Sequence, residues 1–192
     1  MLVCTLGDLV LDVIVRHEQP LAPGGDATSR ISISAGGQAA NVAAWVAALG
    51  SRACWIGKRA DDDAGRIAAE RLAGYGVELV GPVAATGNGI VVSLVDPDGQ
   101  RTMCPDRGAA TELRPDEIEP AWLADASWLH ISGYALFVEP VRSAALRTAE
   151  LARAGDVMVS VDLASWSGIR DVGPDRLRSV LAKLAPHAVF CN

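Results

Sequence analysis

Aromatic residues are scarce in this 192-residue chain, at 5% of the sequence, so Ala, Val and Leu must do most of the packing. No stripe of one charge is present. The 17 basic residues are scattered among 23 acidic ones and the net charge is −6, which leaves no basic face for nucleic acid. The four cysteines, Cys4, Cys54, Cys104 and Cys191, show neither CxxC nor zinc-finger spacing, and no metal ligands are assigned. Each lies in or beside an apolar run, so they are expected as buried free thiols in a reducing, cytoplasmic compartment. No apolar run approaches the ~20 residues that span a bilayer, and no membrane partner is expected. The N-terminal MLVCTLGDLVLDVIV lacks a basic n-region and carries Asp8 and Asp12, so it reads as a buried strand and not a signal peptide.

What the chain does have is 50% apolar residues in an almost regular alternation of strand and helix. Residues 2–6 form a strand that stops at Gly7, and 31–34 (Ile-Ser-Ile-Ser) alternate as a half-exposed strand should. Between them lies a Pro- and Gly-rich loop. Val42, Trp45, Val46 and Leu49 recur at offsets 0, 3, 4 and 7, which predicts a helix from Ala39 to Leu49 with that face in the core. After a strand at 53–57, Asp61, Asp62 and Asp63 sit where a helix start favours carboxylates, and that helix is expected to bury Ala64, Ala68, Leu72 and Tyr75. Residues 89–96 and 100–104 flank Pro97-Asp98-Gly99 as a hairpin. Strands at 127–133, 157–163 and 187–191 then alternate with helices beginning near Pro140 and Pro174. Successive strand–helix–strand units imply a parallel sheet flanked by helices.

Three stretches could carry chemistry. In GDLVLDVIV (7–15), Asp12 interrupts an apolar run. It either caps nearby backbone amides or faces a cleft and accepts from two ligand hydroxyls. In AGGQAAN (35–41), Gly36-Gly37 lets a ligand approach the backbone, the following helix offers free N–H groups, and Asn41 brings a donor and an acceptor suited to a vicinal diol. The same pair could be no more than a tight strand-to-helix turn. In GKRADDDAGRIAAERLAGYGVE (57–78), most charges read as a solvated helix start. Gly57-Lys58-Arg59 lacks the spacing and Ser/Thr of a Walker A loop. Gly7-Asp8-Leu9 does not supply the G-x-G-x-x-G of a Rossmann dinucleotide site.

In that order, GDLVLD, SAGGQAAN and WIGKRADDDAG…L…YGVE closely resemble the N-terminal half of the PfkB, or ribokinase-type, carbohydrate kinases. DPDGQRTM, RGAA at 107–110, SWLHISGYAL at 127–136 and SVDLASWS at 160–167 continue the resemblance along essentially the whole chain. One departure is Ala60, where the family usually has glycine. The resemblance implies a ribokinase-like α/β fold. This is an αβα sandwich with a mostly parallel sheet and a small β lid drawn from about 10–35 and 87–105, incomplete on its C-terminal side. The whole of 1–192 would be a single incomplete domain.

The resemblance also implies a sugar or nucleoside held by Asp12, Gly36, Gly37 and Asn41. Arg107 and Glu139 occupy places where some members contact substrate. ATP and Mg2+ are the cofactors of a complete member, and Asn192 matches the first residue of the family's Asn-x-x-Glu motif near magnesium. The family's base lies in a Gly-Ala-Gly-Asp motif that these 192 residues lack, so no catalytic residue is assigned and the chain alone is expected to be inactive. A non-catalytic sugar- or nucleoside-binding module is the alternative. A homo-oligomer through the lid or an exposed sheet edge is a further expectation.

Overall fold

The computed structural model describes residues 1–191. Along the chain it runs β1 (Leu2–Leu6), β2 (Val10–His17), β3 (Ser29–Gly36), α1 (Gln38–Ala48), β4 (Arg52–Ile56), β5 (Arg59–Ala60), α2 (Asp63–Gly74), β6 (Val77–Val80) and β7 (Val83–Ala84). Then follow β8 (Asn88–Val95), β9 (Arg101–Gly108), a few 3-10 turns, β10 (Ala126–Ser132), α3 (Val141–Ala154), β11 (Met158–Asp162), α4 (Trp166–Val172), α5 (Pro174–Leu184) and β12 (Ala188–Phe190).

Six strands form one sheet in the order β12-β11-β10-β1-β4-β6, with every neighbouring pair parallel. The apolar runs make this possible. β1 is buried along its whole length, as a strand covered on both faces must be. Cys4, Leu6, Leu129, Ile131, Val159 and Val161 pack with the alanines of α3 and with Leu177 and Leu184 of α5. On the other side, Trp55 and Leu9 pack with α1 and α2. A second sheet, β3-β2-β8-β9, is mixed: β2 runs parallel to β8 and antiparallel to β3. This is the small sheet expected as a lid, and Asp62 ties it to the body. The Asp62 carboxylate caps α2 by accepting from Gly65 N at 2.8 Å and also accepts from Asn88 N at the start of β8 at 2.9 Å.

Three sequence expectations are corrected. The apolar face read on α1 is only partly the core face: Ala39, Ala40 and Ala43 are buried and Val46 packs against their cluster, while Trp45 is 69% and Leu49 81% exposed. α1 lies close on β1 and β4, and alanines are what permit that approach. Tyr75 follows the last turn of α2 and stands exposed. Of the four free cysteines, only Cys4 and Cys54 are buried. Cys104 lies exposed on β9, at the edge of the small sheet, and Cys191 is exposed just after β12. β12 is an edge of the main sheet and exposes Val189 and Phe190.

Candidate functional site

The small sheet faces α1 across a cleft of about 460 Å³. Asp12, Gly37, Asn41 and Arg107 all line it. β2 positions Asp12, pairing it with Ser34 on one side and Val91 on the other. Gly36 does not line the cleft but stands against Asp12: a Cβ there would overlap the Asp12 carboxylate. Gly37 takes φ 100, and its Cβ would overlap the Asp8 carbonyl, so both conformation and space demand glycine. The turn delivers the start of α1 to the cleft, where its first N–H groups have no intrahelical acceptor. Asn41, one turn in, is exposed to the cleft.

Arg107 reaches from β9 to the loop after β1. It donates from Nε to Asp8 Oδ2 at 2.6 Å and from Nη2 to Oδ1 at 2.8 Å, a two-pronged pair that spans the lid and the body. Its guanidinium lies 5.8 Å from the Tyr134 ring centre, so Tyr134 joins that end of the cleft. The arginine the sequence marks as a substrate contact thus has both prongs engaged with Asp8.

Glu139 is not brought to the cleft. Its carboxylate holds the start of α3, accepting from Arg142 Nε at 2.8 Å, Ser143 N at 3.1 Å and Ser143 Oγ at 2.8 Å. Asn192 lies outside the described residues. Sequence reasoning missed Asp8 and Trp45 as cleft residues. Asp8 follows the strand-ending Gly7, and Trp45 sits four residues after Asn41; both positions are signals that a helix and strand reading contains.

Burial raises the Asp12 carboxyl above its ordinary value of 3.8. A raised value means that the folded chain holds this proton more tightly than the unfolded chain does. Asp12 therefore favours folding below the unfolded value, and that contribution is lost as pH rises through the folded one. For a ligand that donates hydroxyls to the carboxylate, the sign is opposite. Affinity is expected to fall on acidification from about pH 7 to about pH 4, earlier than for an ordinary aspartate. Calorimetric titrations across that range check this, and an Asp12→Asn chain is expected to show a flat profile.

Among the described residues, no three His, Cys, Asp or Glu groups stand together as a possible metal site, and no helix is long and apolar enough to cross a membrane. A family model described as pfkB family carbohydrate kinase matches residues 1–190. Probable fructokinase-4 of Arabidopsis thaliana is 32% identical over 84% of this chain and 50% of its own length. The ATP-dependent ribose-1-phosphate kinase of Halopiger xanaduensis is 33% identical over 89% of this chain and 57% of its own. The crystal structure of adenosine kinase from Sinorhizobium meliloti superposes with a TM-score of 0.83 at 24% identity, over 98% of this chain and 64% of that one. The chain thus spans about half the length of these curated relatives, and the structural match shows the same α/β fold.

Proposed function

Because the chain belongs to the pfkB family of carbohydrate kinases, we propose that its cleft is the acceptor site for ATP-dependent phosphorylation of a sugar or nucleoside hydroxyl. The supporting observation is that Asp12, Gly37 and Asn41, far apart in type and role, line one cleft. Asp12, raised by burial, has carboxylate oxygens free to accept from two neighbouring hydroxyls, and desolvation strengthens those bonds. Asn41 donates and accepts beside it. Gly36 keeps the space that the carboxylate needs, and Gly37 lets the acceptor approach the backbone at the start of α1.

ATP and Mg2+ supply, when bound, the phosphoryl group and the cation that neutralises its charge. The described residues bind and orient the acceptor. The sequence contains no Gly-Ala-Gly-Asp stretch, and a positioned general base is worth ~10²–10⁴-fold. On this reading the 192 residues by themselves bind acceptor but turn it over no faster than background.

Isothermal titration with ribose, fructose and adenosine is expected to show saturable binding by at least one of them, weakened about 100-fold in Asp12→Ala. A coupled assay with ATP is expected to show no turnover above background. Steady turnover would contradict the assigned division of labour; no binding of any of the three would contradict the acceptor site. The same reading carries a cytoplasmic setting and pairing of two copies through the lid or an exposed sheet edge. A single monomeric species in sedimentation velocity would overturn that pairing.

A further inference from the structure

The cleft has two ends of different chemistry. Asp8 fixes the deep end: Gly37 abuts its carbonyl, and Arg107 holds its carboxylate. From there α1 leads outward past Asn41 to Trp45, one helical turn further on the same face, with Val42 beside them. On the opposite wall β9 leads outward from Arg107 past Pro105 to Met103, and the strand pairing sets Val91 beside both Asp12 and Pro105. Trp45, Val42, Val91, Met103 and Pro105 all line the cleft. The hydroxyl-binding groups therefore continue, on both walls, into an apolar slot.

Folding does not account for Trp45. The core face of α1 is Ala39, Ala40 and Ala43, and Trp45 keeps 69% of its surface exposed. Trp166 is as exposed but lies under the Arg170 guanidinium, whereas Trp45 lines the cleft and offers its indole to a ligand there. A free sugar can offer such a slot only one small C–H face. A sugar joined to a flat, weakly polar ring uses both ends at once.

We propose that the acceptor is a nucleoside, with its ribose on Asp12 and Asn41 and its base stacked on Trp45 and closed over by Met103 from the lid. This rests on the acceptor-site reading and deepens it. Trp45 is then the residue that sets specificity, and its removal touches neither the core nor the hydroxyl-binding groups.

The test is calorimetric titration of the whole chain with adenosine, uridine, ribose and ribose 1-phosphate, in the wild type, Trp45→Ala and Trp45→Phe. A nucleoside is expected to bind more tightly than ribose. Removal of a base-stacking aromatic weakens binding about 5- to 150-fold, so Trp45→Ala should weaken nucleoside binding by that factor and leave ribose within about twofold. Trp45→Phe should retain most of the affinity. Equal losses for ribose and nucleoside in Trp45→Ala would mean that the indole stacks on the sugar itself, and would overturn the proposal. So would tightest binding of ribose 1-phosphate, lost in Arg101→Gln, since Arg101 also faces this cleft. In both cases the acceptor site itself stands. If no ligand binds in a way that Asp12→Ala strongly weakens, the acceptor-site reading falls, and this proposal with it.

Discussion

Replacing Arg107 by Ala is expected to destabilise the chain by about 3–5 kcal/mol, the range for stripping one partner from a buried ion pair. The Asp8 and Arg107 side chains are only 9% and 18% exposed. Loss of the guanidinium strands a carboxylate at the deep end of the cleft with little water to solvate it. Arg107→Lys should recover only part of the loss, because an ammonium cannot supply the two parallel N–H donors that meet both Asp8 oxygens. Adding Asp8→Asn to Arg107→Ala should recover stability as well, since the uncompensated charge then disappears. Chemical denaturation of the four chains measures this. A loss below about 1 kcal/mol in Arg107→Ala would show the pair to be a solvated surface contact. The pair also joins β9 to the loop after β1, so its loss should loosen the small sheet, seen as faster amide exchange across β8 and β9.

The second large effect is on binding. Asp12→Ala should weaken acceptor binding by about 3 kcal/mol, roughly 100-fold, since hydrogen bonds to a charged group contribute ~1.5–3 kcal/mol each. Asp12→Asn keeps one acceptor oxygen and should lose about tenfold. Gly36→Ala should reproduce much of the Asp12→Ala loss with the aspartate still present. A Cβ at Gly36 overlaps only the Asp12 carboxyl group among its nearest neighbours, and that end of the side chain can swing away. The denaturation midpoint of Gly36→Ala should therefore change little, within about 1 kcal/mol. Undiminished affinity in Gly36→Ala would show that Asp12 is not held in its binding position by the open space beside it.

The sequence made the main sheet legible because its central strands, β1 above all, are buried. Runs such as VMVSVDL and SWLHISG are short, rich in apolar residues and place them two apart, a strand period and not a helical one. The start of α2 at Asp61, Asp62 and Asp63 was equally plain, and folding selects Asp62 among them as the cap. The rotation of α1 was not legible. Periodicity finds a face of large apolar residues and assigns it to the core. Here the tight approach to β1 and β4 selects alanines instead and turns Trp45 towards the cleft. That misreading hid a wall of the candidate site. The Asp8–Arg107 pair was also out of reach, because its partners lie 99 residues apart and meet only when β9 folds back over the body. Glu139, marked by family position, meets Arg142 and Ser143 at the start of α3, contacts that no spacing in the sequence singles out.

A crystal structure of the chain grown with adenosine or ribose is the most direct test of the acceptor site. Vicinal hydroxyls of the ligand are expected within about 3 Å of both Asp12 carboxylate oxygens, with a third contact to Asn41. A saturating ligand bound anywhere other than between β2 and the start of α1, with Asp12 and Asn41 untouched, would contradict it.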